Sequence, residues 1–224
     1  MKKIHVMNIG YPRSATTWCW QCLLRQEWFN APREKENNDL AIGVPISDYK
    51  NVYADYDITA NFFAGMVHID QYLIKQLSEI PSVQISIILR NNFDQFYSLY
   101  NLLLNDPTTD TSAYTYNQWT KNLIEQGWYH PVAHLIKRWQ KYFSPDRFHV
   151  FYYDQIQKDG AKFFKDYCQQ MQLPTPTNVE NQIVNGARYI ADGPTLDQNL
   201  VKIINQEIEN LEILLGQDLS RWKK

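Results

Sequence analysis

A short apolar segment that runs through a loop into a helix constrains this chain more than any other feature. Residues 4–9 form a mostly apolar run with an isoleucine at each end, which predicts a buried strand. Gly10 and Pro12 end that strand, because glycine and proline interrupt regular structure. Hydroxyl side chains then precede an apolar helical run that starts at Trp18. The order of strand, loop and helix predicts an α/β fold.

The chemistry of this loop suits an anion. Backbone N–H groups and the start of a helix favour negative charge, and Arg13 adds a cation with planar donors. The loop is not a Walker motif, which needs Gly-Lys-Ser/Thr where this chain has Ala15, Thr16 and Thr17. The residues therefore predict a cradle for phosphate or sulfate, with an ordinary capped turn as the alternative.

A second segment has the same organisation. Residues 82–89 are strongly β-branched and predict another buried strand, which Arg90 follows directly. Ser98 lies eight positions further on, in a predicted helix. An arginine fork and a hydroxyl can together hold a phosphate monoester. Ligands of open α/β sheets bind at the carboxyl ends of the strands, where both segments are expected to lie.

Both segments resemble motifs of the sulfotransferases that use 3′-phosphoadenosine 5′-phosphosulfate (PAPS). Residues 11–18 are similar to the 5′-phosphosulfate loop, commonly Tyr-Pro-Lys-Ser-Gly-Thr-Thr-Trp, with Arg13 for the lysine and Ala15 for the glycine. Residues 90–100 are similar to the 3′-phosphate motif, Arg-Asn/Asp-Pro-x-Asp-x-x-x-Ser-x-Tyr, with Asn92 for the proline. Each motif departs from the common pattern without losing its charged group.

The resemblance implies a fold and a reaction. The fold is P-loop-like, with three layers and a central, mainly parallel sheet, in one domain over 1–224. The reaction is in-line transfer of a sulfuryl group from PAPS to a hydroxyl of a carbohydrate or small molecule, which leaves 3′,5′-bisphosphate (PAP) and needs no metal. Residues 57–63 resemble the glycan-type and bacterial branch more closely than the cytosolic small-molecule branch.

The resemblance also implies which residues bind the donor. Trp18 and Tyr153 are expected to border the adenine, and Arg188 is expected to add a second contact to the 3′-phosphate. The full set of expected donor-binding residues is Arg13, Ser14, Ala15, Thr16, Thr17, Trp18, Arg90, Ser98, Tyr153 and Arg188.

The resemblance offers catalytic roles for three residues. Arg13 is expected to stabilise charge on the leaving phosphate. The glycan-type branch uses the glutamate of a Lys-Glu pair as the base, which corresponds to Glu36 after Lys35. The cytosolic branch uses a histidine upstream of the 3′-phosphate motif, which corresponds to His68. Glu36 is preferred, and the choice between the two stays open.

The charge and hydropathy of the chain bound its partners. The formal net charge is −2, so no broad electrostatic attraction to nucleic acid or a membrane surface is expected. The apolar run at residues 4–9 is too short for a signal peptide, and no segment approaches a membrane span. The expectation is a soluble, cytoplasmic protein, whose acceptor and oligomeric state the sequence leaves open.

Three other functions are considered. Cys19 and Cys22 form a Cys-x-x-Cys at a helix start, which resembles a redox site, although the spacing also fits a buried helix face. A nucleotide phosphotransferase and a non-catalytic PAP-binding protein are the other two. Cys168 is expected in the core, and His130 and His134 are interpreted as helix residues, not zinc ligands, because no further ligand lies nearby.

The remaining pattern predicts alternating helices and strands. An irregular region is expected over 30–57, with a possible role as a lid or acceptor loop. A strand is expected over 148–154. Helices are expected over 69–80, 92–104, 112–126, 131–143, 160–171 and 195–215, the last with a clear amphipathic stripe.

Overall fold

The computed structural model describes residues 3–29, 35–105, 115–126, 131–179 and 195–224. The chain divides into two compact units. One comprises Met1–Leu89 with Arg138–Asn185, and the other comprises Arg90–Lys137 with Gly186–Lys224. The expectation of one domain over the whole chain stays a prediction.

A parallel sheet forms the centre of the first unit. Its strands are β1 (Ile4–Asn8), β2 (Ile58–Asn61), β3 (Val83–Leu89) and β4 (Phe148–Tyr152), in the order β2-β1-β3-β4. Every pairing is parallel, so the four carboxyl ends lie at one edge. The first three strands are buried along their whole length, as expected for a parallel sheet that is covered on both faces. The predicted central parallel sheet is confirmed.

The strand order creates a switch point between β1 and β3. The chain leaves β1 for β2 on one side, and then crosses to β3 on the other side of β1. Such a reversal of direction opens a crevice at the carboxyl ends of the two strands, which is where open α/β sheets bind ligands. The loop after β1 and the residues after β3 are the two segments that sequence singled out.

Helices follow the strands along the chain. Among the described residues they are α1 (Thr16–Leu24), α2 (Ile46–Val52), α3 (Gln71–Ser78), α4 (Asn92–Leu104), α5 (Tyr116–Glu125), α6 (Val132–Gln140), α7 (Tyr153–Lys158), α8 (Gly160–Gln170) and α9 (Gln198–Leu215). Most fall within the predicted ranges.

Two expectations about these elements are wrong. The region 30–57 is not irregular throughout, because it contains α2. That helix is only seven residues long and buries a single side chain, Tyr49, so it has no apolar period for sequence to detect. The strand expected over 148–154 ends at Tyr152, since α7 begins at the next residue.

Aromatic side chains fill the core of the first unit around Phe151. Its ring centroid lies 4.8 Å from that of Tyr167 and 5.7 Å from that of Phe163, so β4 packs directly on α8. Trp18 of α1 joins the same cluster, with centroid distances of 6.0 Å to Phe163 and 6.1 Å to Phe164. Aromatic pairs at these distances stabilise a core beyond the apolar area they bury.

The second unit contains α4, α5, α9 and the first residues of α6. Tyr116 packs against Tyr97 and Tyr100, which joins α4 to α5. Glu207 of α9 is buried and accepts a hydrogen bond from the backbone N–H of Ala133 at 2.8 Å. Burial raises the pKa of the Glu207 carboxyl, while the N–H groups at the start of α6 offset part of that effect.

Candidate functional site

The loop after β1 has an unusual backbone. Arg13 and Ala15 both adopt left-handed conformations, with φ of 67° and 61°. Ala15 is also the N-cap of α1, and its side chain makes no capping hydrogen bond. Left-handed residues in a turn collect N–H groups into a concave anion site, and residues held in such strain cluster at functional sites. The glycine of the common sulfotransferase motif suits this position, because glycine adopts positive φ without strain.

Buried hydrogen bonds hold the start of this loop. The Asn8 Oδ1 atom accepts from the backbone N–H of Gly10 at 3.1 Å, and its Nδ2 donates to Ser86 Oγ at 3.1 Å. Ser86 Oγ lies 3.0 Å from the Tyr167 hydroxyl. Side chains from β1, β3 and α8 therefore fix the point at which the loop leaves the sheet.

The hydroxyl residues of the loop differ in exposure. Ser14 and Thr16 are buried, and Thr17 is half-buried at the second position of α1. Trp18 follows and is buried in the aromatic core, 2% exposed. A Cβ atom added to Gly160 would lie 3.0 Å from its ring, so α8 packs closely on this indole. A contact between Trp18 and adenine stays a prediction.

The segment after β3 begins a helix in the second unit. Arg90 is bonded to the last residue of β3 and is buried. Asn91 caps α4, since its side chain accepts from the Phe93 N–H at 3.0 Å. Asn92 is the first residue of the helix, where proline is favoured because that N–H needs no helical partner. The change from proline to Asn92 therefore leaves the backbone role intact, and Ser98 lies buried further along α4.

Tyr153 is buried and follows β4 directly. Leu89 and Tyr152 are partners in the β3–β4 register, so β3 and β4 end level with each other. Arg188 lies outside the described residues, and its expected contact stays a prediction.

Glu36 lies beside the carboxyl end of β2. The backbone N–H of Phe62 donates to the Lys35 carbonyl at 2.9 Å. Asn61 accepts from the Asn37 N–H at 3.2 Å and donates to the Asn37 carbonyl at 2.9 Å. Glu36 itself is exposed and forms an ion pair with Lys35. The residue is thus held, through both its neighbours, at the edge of the sheet where the loop after β1 begins.

His68 is placed differently. It is exposed and ends a short 3₁₀ helix, Ala64–His68, that follows β2. Asp70 then caps α3 by accepting from the Leu73 N–H at 2.8 Å. A catalytic role for His68 stays a prediction.

The three thiols of the chain are buried in the core of the first unit. Cys19, Cys22 and Cys168 are all reduced thiols, outside any disulfide, and each is at most 1% exposed. Burial raises the pKa of Cys19 well above its usual value and raises that of Cys168 to about 12. Reactive cysteines need the opposite, a lowered pKa and access to solvent. The Cys-x-x-Cys spacing here reflects a packed helix face.

The described ranges contain neither a cluster of metal ligands nor a helix that could span a membrane. Among residues 3–29, 35–105, 115–126, 131–179 and 195–224, no three His, Cys, Asp or Glu side chains are grouped closely enough to hold a metal ion. In the same part of the chain, no helix is both long and apolar enough to cross a bilayer.

Sequence reasoning missed Asn8, Asn61 and Ser86. Each is a polar residue in a strand that is buried along its whole length. Buried polar side chains cost free energy unless they are hydrogen-bonded, so their presence in such strands was the available signal.

Comparisons with known proteins agree with this geometry. A sulfotransferase from Alicyclobacillus acidocaldarius has a similar structure, with a TM-score of 0.76, 15% identity and full coverage of both chains. The mouse sulfotransferase SULT7A1, solved in complex with PAP, gives a TM-score of 0.55 at 13% identity, over 97% of this chain and 86% of that one. At these identities the likeness shows the fold, and the predicted P-loop-like fold is confirmed. None of the curated proteins matches at a significant level.

The family is shown by the sequence itself. The family model described as "Sulfotransferase domain" matches residues 3–189, which include both the loop after β1 and the segment after β3. The expectation of a PAPS-dependent sulfotransferase is thereby confirmed, while the closer likeness to the glycan-type and bacterial branch stays a prediction. The chain belongs to the sulfotransferase family.

Proposed function

We propose that this enzyme transfers a sulfuryl group from PAPS to a hydroxyl of a carbohydrate or small molecule, with Glu36 as the base. The loop over 10–17 binds the phosphosulfate, and Arg90 with Ser98 binds the 3′-phosphate. The observation that carries the proposal is the left-handed backbone at Arg13 and Ala15, immediately before α1. This geometry suits an anion and is costly to maintain without one.

The loop supplies charge stabilisation. Backbone N–H groups at the start of α1 are fixed before the donor binds, so they cost no reorganisation during the reaction. Arg13 adds a positive charge for the leaving phosphate. Asn8 anchors the loop through Gly10, and this anchor keeps the N–H groups in place.

The donor fits the residues present. When bound, PAPS supplies the sulfuryl group, whose sulfur bonds to the acceptor oxygen as its bond to the 5′-phosphate oxygen breaks. Arg90 is buried at the end of β3, and a buried arginine favours a bidentate anion as its partner. The Ser98 hydroxyl adds one further hydrogen bond.

Glu36 removes the acceptor proton. Its carboxylate takes the proton from the acceptor hydroxyl as the oxygen attacks, and the Lys35 ammonium lies beside it as its ion-pair partner. Glu36 is preferred to His68 because both of its neighbours are bonded to the end of β2, next to β1. A general base must be held in the correct place for proton transfer. The hydrogen bonds of Lys35 and Asn37 to the end of β2 hold the Glu36 backbone between them.

The first experiment measures donor binding. Calorimetric titrations with PAP, ATP and adenosine 5′-phosphosulfate are made on the wild type, Arg90→Ala and Arg25→Ala, a control on an exposed arginine at the end of α1. We expect tight PAP binding, much weaker binding of the two ligands without a 3′-phosphate, and loss of the PAP preference in Arg90→Ala alone. Equal binding of ATP and PAP would favour a phosphotransferase.

The second experiment measures turnover. PAP release from PAPS is followed with a panel of monosaccharides and phenols as acceptors, in the wild type, Glu36→Gln and His68→Gln. Glu36→Gln is expected to lose about 10²–10⁴-fold in kcat, the usual contribution of a general base, while PAP still binds. Loss of activity in His68→Gln with full activity in Glu36→Gln would reverse the assignment.

A further inference from the structure

We propose that Asn61 is a positioning residue for Glu36, and that Tyr49 holds Asn61 in place. The inference rests on the proposed function, because it assumes that Glu36 is the base. Asn61 is the last residue of β2, and its side chain is completely buried. Its side chain is hydrogen-bonded to Asn37 and Tyr49, so any effect on Glu36 passes through the neighbouring Asn37.

The Asn61 side chain substitutes for a strand partner. Its Oδ1 accepts from the Asn37 N–H at 3.2 Å, and its Nδ2 donates to the Asn37 carbonyl at 2.9 Å. One amide thus satisfies both backbone polar groups of the residue that follows Glu36. On the other side, the Phe62 N–H donates to the Lys35 carbonyl at 2.9 Å. The backbone of Glu36 is held from both sides by two consecutive residues of one strand end.

Tyr49 fixes the orientation of the amide. The Tyr49 hydroxyl accepts from Asn61 Nδ2 at 3.2 Å and lies 2.9 Å from His5 Nε2, and His5 Nδ1 lies 2.6 Å from Thr59 Oγ1. All four side chains are buried, so each polar atom in this chain of contacts depends on the next. The contacts tie the Lys35–Asn37 segment to β1 and α2 as well as to β2.

A flipped or absent amide would release Asn37. The Lys35–Asn37 segment is not a strand of the sheet, so the hydrogen bonds from Asn61 and Phe62 replace the ladder that would otherwise fix it. A base that shifts by about 1 Å can cost roughly 10²-fold in rate. Asn61 therefore determines where the Glu36 carboxylate stands without contacting the substrate.

The test combines an exchange measurement with a double-mutant cycle. Hydrogen exchange at the Asn37 N–H is expected to quicken at least tenfold in Asn61→Ala, and less in Tyr49→Phe, which keeps both bonds between Asn61 and Asn37.

PAP release with the best acceptor of the panel is measured in Asn61→Ala, Glu36→Gln and the double variant. Asn61→Ala is expected to lower kcat at least tenfold with an unchanged KM for PAPS, and to add less than twofold in the Glu36→Gln background. Asn51→Ala, at an exposed position of α2, is the matched control and should behave as the wild type.

Three results would count against the proposal. Equal losses of kcat from Asn61→Ala in both backgrounds would mean that Asn61 does not act through Glu36. Unchanged exchange at Asn37 in Asn61→Ala would mean that the side chain does not hold the segment. Full activity in Glu36→Gln would refute the base and with it the catalytic role of Asn61, while the exchange data would still decide whether the contact exists. If Asn61→Ala fails to fold, hydrogen exchange at the Asn37 N–H in Tyr49→Phe still tests whether the Asn61 amide holds the segment.

Discussion

Asn8 donates a hydrogen bond to Ser86 Oγ at 3.1 Å, which ties together β1 and β3, the two strands that precede the predicted donor-binding segments. The two residues are also partners in the β1–β3 register. The Oδ1 atom of the same Asn8 amide accepts a hydrogen bond from the backbone N–H of Gly10. One side chain therefore links the alignment of the strands to the start of the loop after β1.

Ser86→Ala is expected to lower both stability and PAP affinity. It leaves the Asn8 amide and the Tyr167 hydroxyl buried without this partner, at a cost of about 1–3 kcal/mol in the free energy of unfolding. Urea unfolding and calorimetry with PAP measure the two effects. Ser78→Ala removes a hydrogen bond to the Lys75 carbonyl at the end of α3, and this control should leave PAP affinity unchanged. Wild-type stability in Ser86→Ala would contradict the prediction.

Ala15→Gly is expected to stabilise the protein. A left-handed conformation costs an L-residue roughly 1–2 kcal/mol. Relief of that strain is expected to exceed the roughly 0.4–1 kcal/mol by which the greater conformational freedom of glycine stabilises the unfolded chain. The net gain is at most about 1.6 kcal/mol in the free energy of unfolding, measured with urea. Ala161→Gly, in the helix α8, is the control and should lose about 1 kcal/mol. Equal losses at the two positions would show that Ala15 carries no such strain in solution.

The thiols are expected to play no part in turnover. The double variant Cys19→Ser and Cys22→Ser should retain sulfuryl transfer if it folds. Because serine places a hydroxyl in the core at both positions, a second double variant with alanine at both positions is measured beside it. The folded wild type should not react with a thiol reagent, because burial hides the thiols and raises the pKa of Cys19 and Cys168. Absorbance of the released chromophore before and after unfolding measures this. Rapid labelling of the folded enzyme would revive the redox interpretation.

The protein is expected to become less stable as the pH falls, because His5 is buried in its neutral form. Burial lowers the pKa of His5 to about 3, against 6.5 when unfolded, so only the unfolded chain takes up this proton between those values. The contribution is complete above pH 6.5 and is lost as the pH falls from there towards 3, at up to about 1.4 kcal/mol per pH unit. Urea unfolding at pH 7, 6 and 5 gives the slope. His5→Gln should show a smaller slope, and the remaining contribution of His149, whose pKa is also lowered by burial, cancels in the comparison.

Much of the fold was predictable because its signals are local. Glycine and proline after the run at 4–9, and Arg90 after a β-branched run, mark the ends of β1 and β3 without knowledge of the partner strands. The amphipathic stripe of α9 is likewise visible within one segment. These features depend on residues a few positions apart, which is the range over which periodicity and turn chemistry act.

The supporting contacts of the site were not predictable, because their partners are distant in sequence. Asn61 meets Asn37 across 24 residues, and Ser86 meets Tyr167 across 81. No periodicity relates such pairs, and only the folded sheet brings them together. The packing of Trp18 was not predictable for the same reason. Its neighbours on α8 lie beyond residue 159, so the sequence around Trp18 does not indicate that they cover the indole.

The enclosure of every native thiol also makes the enzyme convenient to label. Because the chain has three cysteines and all are inaccessible, a single cysteine introduced at an exposed position, such as Lys165→Cys on α8, becomes the one site open to a maleimide dye or a surface linker. The native cysteines need not be removed first, so the labelled enzyme keeps the packing of its aromatic core.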